Sequence, residues 1–451
     1  MEPSTSLDLI LRNGQVFLPD GLADADIGIS DGRIAAILPR GGGAAASVRD
    51  CTGLAILPGL IDTQVHFREP GMEHKEDLES GSRAAVLGGV TGLFEMPNTR
   101  PLTDTAEALA EKLRRAAGRM WTDHGFYVGA TSANAEQLGE LEKLPGCCGI
   151  KIFMGASTGD LLVPDDETLL RVLSHGRRRV AIHAEDEPRM IARMGERIEG
   201  DPRSHPLWRD DETALLATRR AIAAARATGR RVHILHVTTP QELEYLSRHK
   251  DIASVEVTPQ HLTLAAEDAY PRLGTHAQMN PPIRSEWHRQ GLWHWLGQGV
   301  PDVLGSDHAP HTLEEKARPY PASPSGMPGV QTIVPLMLNH VAAGRLSLAR
   351  LVDMMASGPA RLFGIIGKGR IAAGFDADFT IVDLKARWTI REDWLASRCG
   401  WSPFTGAAIV GRPIGTILRG QTVMWDGALA AAPTGRPIRF EDTDYPGNHH
   451  Y

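Results

Sequence analysis

The chain has 451 residues, 42% apolar and 23% charged, which is enough to bury a large core and is ordinary for a globular enzyme. Its 48 Lys and Arg against 55 Asp and Glu give a formal charge of −7, and no basic cluster exceeds the short runs at 177–179 and 230–231, which argues against nucleic acid as a partner. Four scattered cysteines (Cys51, Cys147, Cys148, Cys399), no basic-then-apolar leader and no bilayer-length apolar run exclude a disulfide scaffold and a membrane span, and predict a cytoplasmic protein.

Short β-like segments open the chain at 9–11, 16–18 and 27–29, with turns at Asn13-Gly14 and Asp31-Gly32. The apolar run 54–61, interrupted by Pro58 and Gly59, reads as a buried strand leading into Asp62-Thr63-Gln64-Val65-His66-Phe67-Arg68. Beyond it strands and helices alternate. The predicted strands are 60–67, 91–96, 125–129, 149–154, 180–183, 232–237, 255–258 and 303–306, and the predicted helices include 75–87, 105–117, 166–174, 211–228 and 241–248. Eight such strands over about 250 residues predict a (β/α)8 barrel. The β pattern returns at 376–382, 416–420 and 423–425. The expected fold is therefore α/β: a TIM-type barrel over 58–367 with a small β-sandwich built from both termini, 1–57 plus 368–451. The final stretch, 431–451, rich in Pro, Gly and charge, is expected to be a surface tail.

Alternate side chains of a strand share a face, so Gln64, His66 and Arg68 point the same way. A metal ligand and a permanent cation two residues apart suit a site that polarises one end of an anionic substrate and grips the other. Barrel enzymes carry their chemistry at the carboxyl ends of the strands. Here His66 and Arg68 end the first strand, Asn98 follows the second, Lys151 lies in the fourth and His183 ends the fifth. His236 ends the sixth, His261 follows the seventh and Asp307 ends the eighth, so only the third lacks such a residue. Imidazoles and carboxylates without thiolates suit zinc or a similar divalent ion in a catalytic site, with Asp307 able to ligate the ion and take a proton from its water. Each His taken singly has a plainer reading as a hydrogen-bonded structural residue. His233, on the face opposite His236, is assigned that role.

Lys151 has two readings that its neighbours leave open. It is a lysine paired with Asp307 or Glu185 or snorkelling to the rim, or a desolvated amine that captures carbon dioxide as a metal-bridging carbamate. Arg68 and Asn98 suit a bidentate grip on a carboxylate plus one amide donor. Their plainer alternatives are a pair with Glu69 and a turn after Pro97.

Several stretches are similar, in order, to motifs of the cyclic-amide branch of the amidohydrolase superfamily, and most closely to the dihydroorotases with a flanking β-sandwich. They are Pro58-Gly59-Leu60-Ile61-Asp62, Val65-His66-Phe67-Arg68-Glu69-Pro70-Gly71, Gly89-Val90-Thr91, Glu95-Met96-Pro97-Asn98-Thr99, His236-Val237-Thr238-Thr239, Asn280-Pro281-Pro282-Ile283-Arg284, Gly305-Ser306-Asp307-His308-Ala309-Pro310-His311 and Trp401-Ser402-Pro403-Phe404. The Arg68–Asn98 pair separates these from hydantoinases and dihydropyrimidinases, and Gly149-Ile150-Lys151-Ile152-Phe153 is similar to the carboxylated-lysine strand of the binuclear members.

The resemblance implies one or two zinc ions per subunit. His66, carboxylated Lys151 and Asp307 hold one, and Lys151, His183 and His236 hold the other. It further implies attack of an activated water on a ring amide carbonyl, with Asp307 passing the proton to the leaving nitrogen. Arg68, Asn98 and His311 clamp the substrate carboxylate, and Asn280 positions the ring. The implied reaction is the reversible interconversion of (S)-dihydroorotate and N-carbamoyl-L-aspartate in pyrimidine (UMP) biosynthesis. A homo-oligomer is expected, with aspartate carbamoyltransferase as a candidate partner. The alternatives are a hydantoinase-, dihydropyrimidinase- or allantoinase-like enzyme, and a non-catalytic partner of the transcarbamoylase. Two residues depart from the family pattern: Gln64 stands where a metal-binding His is expected, and Gln260 where many relatives have a second His. The first metal position is accordingly expected to be weak, empty or completed by water. The loop 323–329 is expected to form either a lid or a wall.

Overall fold

The computed structural model describes residues 7–156 and 161–445. Eight parallel strands form one sheet in sequence order: Leu60–Val65, Val90–Glu95, Asp123–Gly129, Cys147–Phe153, Val180–His183, Val232–Ile234, Ala253–Val257 and Val303–Leu304. The sheet closes where Val65 bridges His308 and His66 N donates to the His308 carbonyl at 2.7 Å. Every residue of these strands is buried, which explains why their sequences do not show apolar–polar alternation.

The connecting helices start where their caps allow. Asp211–Thr228, capped by Asp210 accepting from Thr213 N and stopped by Gly229 at φ 72°, matches the predicted span. The helix expected from residue 75 begins instead at Leu78, because Asp77 accepts from Ser80 N and fixes the first turn there.

Ten further strands come from both ends of the chain and form a second sheet. Phe379–Thr389 runs antiparallel to Ala55–Pro58, which in turn lies parallel to Gln15–Leu18, so the late and early segments are neighbours. Val16, Ile27, Ile34, Ile56, Phe379, Ile381 and Ile417 give this sheet a core of its own. The run 54–61 thus divides between the two sheets at Gly59, whose N–H donates to the Asp378 carbonyl at 2.9 Å. A Cβ at that residue would lie 2.5 Å from Thr91 Oγ1, so the hand-over needs glycine.

The expectation of a surface tail over 431–451 is overturned as far as residue 445; 446–451 lie outside the described residues. His124 N donates to the Arg436 carbonyl at 3.0 Å and Ile438 N to the His124 carbonyl at 2.8 Å, so the segment lies along the start of the third barrel strand. Ile438 and Phe440 pack with Ile61, Phe94, Tyr127 and Phe363 and floor the barrel. Their period-two spacing, with Arg439 exposed between them, is a strand signal that the polar composition of the stretch conceals. Among the described residues no helix is long and apolar enough to cross a membrane.

Candidate active site

The fold brings six of the expected residues onto the wall of one small cavity: Gln64, His66, His183, His236, Asn280 and Asp307. Of the other expected residues, Asn98 bonds His66, Lys151 interacts with Asp307, and Arg68 lies 3.4 Å from His311. Three of these ten leave their strands in left-handed backbone, Arg68 at φ 65°, His236 at 36° and Asp307 at 44°. That conformation costs a residue with a Cβ about 1–2 kcal/mol and gathers at functional sites.

On one side, His183 Nδ1 lies 3.0 Å from His236 Nε2. His183 Nε2 faces Glu185 Oε2 at 2.8 Å, and Arg209 grips that carboxylate with Nε at 3.0 Å from Oε1 and Nη2 at 2.5 Å from Oε2. Burial alone would raise the Glu185 carboxyl, but Arg209 and His183 hold it well below the usual carboxylate range. An ionised acceptor at Nε2 leaves His183 with the lone pair of Nδ1 aimed at the cavity. Burial lowers the pKa of both imidazoles, which favours the neutral form that binds a cation.

Lys151 sits within electrostatic reach of Asp307 on one side and of His183 and His236 on the other. Only 1% of it is exposed, burial lowers its pKa to about 7, and its Nζ has no hydrogen-bond partner among the described residues. The pairings with Asp307 and Glu185 are therefore not made. Its ammonium lies 4.3 Å from the ring centroid of Phe153.

On the other side, Asp307 Oδ1 receives Gln64 Nε2 at 3.0 Å and stands 3.2 Å from His66 Nε2, while His66 Nδ1 is 2.8 Å from Asn98 Oδ1. Among the described residues no three His, Cys, Asp or Glu side chains converge on one point. The His183–His236 and His66–Asp307 pairs are two half-sites, and the group within reach of both is Lys151. The chemistry of this donor set fits a divalent ion: unprotonated imidazole nitrogens, a carboxylate and a buried amine with no other partner.

The neighbouring surface is cationic. Arg68 is 2% exposed and donates from Nε to the Pro310 carbonyl at 3.2 Å, yet among the described residues it has no carboxylate partner; Glu69 is held instead by Arg119 at 2.7 Å. Burial lowers Arg68 only to about 10, so it stays charged at neutral pH. Lys75 Nζ donates to His311 Nδ1 at 3.0 Å, which places the His311 proton on Nε2, donating to the Ser325 carbonyl at 3.0 Å. Asn280 Oδ1 accepts from His205 Nε2 at 2.9 Å. The loop 323–329 is a wall in this structure: Lys316 Nζ donates to the carbonyls of Gln278, Pro324 and Gly326 at 3.2, 2.8 and 3.1 Å.

His261 and His233 are held by structural bonds, to Thr258 Oγ1 and the Pro281 carbonyl, and to Ser254 Oγ, respectively. The structure adds Arg209, His205 and Glu256, which the sequence reading did not place in the site, and gives Glu185, read there only as a partner for Lys151, to His183 and Arg209. Glu256, raised to about 8 by burial, accepts from Thr63 Oγ1 at 2.7 Å and interacts with Lys151. A carboxylate inside the apolar strand Val255-Glu256-Val257 was a readable signal, whereas the Glu185–Arg209 and His205–Asn280 contacts join separate segments.

An amidohydrolase family model matches residues 55–423. The chain is 40% identical over 388 residues to a dihydroorotase from Halobacterium salinarum, spanning 85% of this chain and 89% of that protein. It is 36% identical over 426 residues to a dihydroorotase from Methanothermobacter thermautotrophicus, spanning 94% and 95%. The L-hydantoinase (dihydropyrimidinase) of Arthrobacter aurescens superposes with a TM-score of 0.90 at 29% identity, covering 96% of this chain and 99% of that one. A parallel barrel with polar strand ends, a second sheet from both termini and these matches along nearly the full length agree: the chain belongs to the amidohydrolase family, among its dihydroorotase-related hydrolases of cyclic amides.

Proposed function

We propose that the chain is a zinc-dependent dihydroorotase that opens the ring of (S)-dihydroorotate to N-carbamoyl-L-aspartate and closes it in pyrimidine biosynthesis. The observation that carries this reading is the buried Arg68 guanidinium, which has no carboxylate partner among the described residues. A desolvated charge of this kind calls for an anionic ligand. The carboxylate of dihydroorotate supplies one, and an uncharged hydantoin ring does not. Arg68 offers a planar fork, the Asn98 amide one further hydrogen-bonding group, and His311, neutral because burial lowers it to about 3, a fixed ring beside the fork. Asn280, its Oδ1 held by His205, turns its amide nitrogen away from that bond and orients the ring.

His183 through Nδ1, His236 and Lys151 as its carbamate would hold a divalent ion such as zinc, with His66 and Asp307 flanking it. When bound, the ion makes water acidic and polarises the amide carbonyl. Asp307 is placed to accept the proton of that water and return it to the departing ring nitrogen. All these residues lie within the proposed 58–367 barrel, and the strands between Leu7 and Pro58 and between Phe379 and Leu429 form its companion sheet. The comparison that tests the reading is turnover of dihydroorotate against turnover of hydantoin. Faster hydrolysis of hydantoin would move the protein to the hydantoinase-like alternative. Absence of turnover with co-purification of aspartate carbamoyltransferase would make it that enzyme's non-catalytic partner.

A further inference from the structure

Resting on the hydrolase reading above, we infer that this chain's centre retains one divalent ion, on the His183–His236–Lys151 side, and that Gln64 turns the other metal position into a hydrogen-bonded seat for Asp307. Gln64 is 1% exposed and its amide nitrogen is 3.0 Å from Asp307 Oδ1. That orientation is chemically required, because an amide oxygen against a carboxylate oxygen sets acceptor on acceptor. His66 lies beside the same oxygen at 3.2 Å and gives its Nδ1 proton to Asn98 Oδ1 at 2.8 Å. The seat is thus the Gln64–Asp307 hydrogen bond, with His66 and Asn98 packed beside it.

To coordinate an ion there, Gln64 would have to turn its oxygen inward and give up the bond to Asp307, supplying a neutral amide in place of an imidazole. Zinc favours imidazole and thiolate over amide oxygen. The opposite half-site offers zinc two imidazole nitrogens, which give up only the 3.0 Å contact between His183 Nδ1 and His236 Nε2. His183 is oriented by Glu185 and Arg209 with Nδ1 facing His236, and Lys151 Nζ has no hydrogen-bond partner among the described residues. Asp307 in this arrangement is positioned by a hydrogen bond alone, leaving its second oxygen to exchange protons with water and the ring nitrogen.

The test is metal stoichiometry of the full chain, loaded with excess zinc chloride, stripped of loose metal by gel filtration and measured by elemental emission. We expect one zinc per chain for the wild type, none for His183→Ala, one for Gln64→Ala and two for Gln64→His, with melting curves confirming that each variant is folded. Two ions retained by the wild type, none retained by it, one retained by His183→Ala, or one in Gln64→His would each overturn the inference. Dihydroorotate and hydantoin turnover on the same samples separates the two claims. A single-ion protein that prefers hydantoin sinks the substrate reading and leaves this one standing, and a two-ion dihydroorotase does the reverse.

Discussion

Arg68 and Lys151 are both cations carried into the barrel mouth without an ion-pair partner among the described residues, and burial acts on them differently. The guanidinium, lowered only to about 10, stays charged and must find its anion in the substrate. Replacing it by methionine is expected to lower kcat/KM for dihydroorotate by about a hundredfold, near 3 kcal/mol, the scale of a hydrogen bond to a buried charge. Activity on hydantoin, which offers the guanidinium no anion, should change far less, and an equal loss on both substrates would remove the carboxylate from the argument. Lys151, lowered to about 7, exposes its free amine near neutral pH rather than above 10.5. Metal-free protein in ¹³C-bicarbonate should therefore show a carbamate signal that grows as pH rises through about 7 and is missing in Lys151→Ala. Between about 7 and 10.5 the unfolded chain holds a proton at this lysine that the folded chain does not, so this residue's contribution makes stability rise with pH across that window. Both residues were legible in the sequence as charges at or near the ends of apolar strands. The Glu185–Arg209 clamp was not, because its members lie 24 residues apart and meet only through the fold.

At the level of strands and helices, the barrel was readable because most strands carry a core of consecutive apolar residues rather than apolar–polar alternation, as a sheet buried on both faces demands. The run 54–61 was harder to divide, since both halves are equally apolar and only Pro58-Gly59 marks the passage from one sheet to the other. Whether 323–329 was a lid or a wall could not be read from its glycines and prolines, because the deciding group, Lys316, lies outside it. Its buried ammonium serves three carbonyls, so Lys316→Met should destabilise the fold by about 3 kcal/mol through buried acceptors left unpaired. Faster amide exchange confined to 323–329 and a raised KM should accompany the loss. Unchanged exchange there would mean the wall stands without its lysine.

For the molecule as a whole, the second sheet and the floor of the barrel both depend on segments far apart in sequence, and this long-range dependence is what composition failed to reveal about 431–445. Gly435 is the tightest point of the docking: a Cβ there would lie 2.0 Å from the Thr122 carbonyl. Gly435→Ala should lift the segment from the barrel, and Phe440→Ala should cost about 3–5 kcal/mol as a buried aromatic lost from a packed core. Thermal melts would register either effect without any change at the metal-facing side chains, and wild-type melting of both variants would contradict the floor assignment. Ile438 and Phe440 also follow, in the chain, every barrel residue they cover. On a ribosome, all eight strands emerge while Phe94 and Tyr127 still face an open base, and that base is shut only once translation has passed residue 440. Burial of those aromatics thus waits on residue 440, and a chain halted before it would display an apolar surface at the base of the barrel.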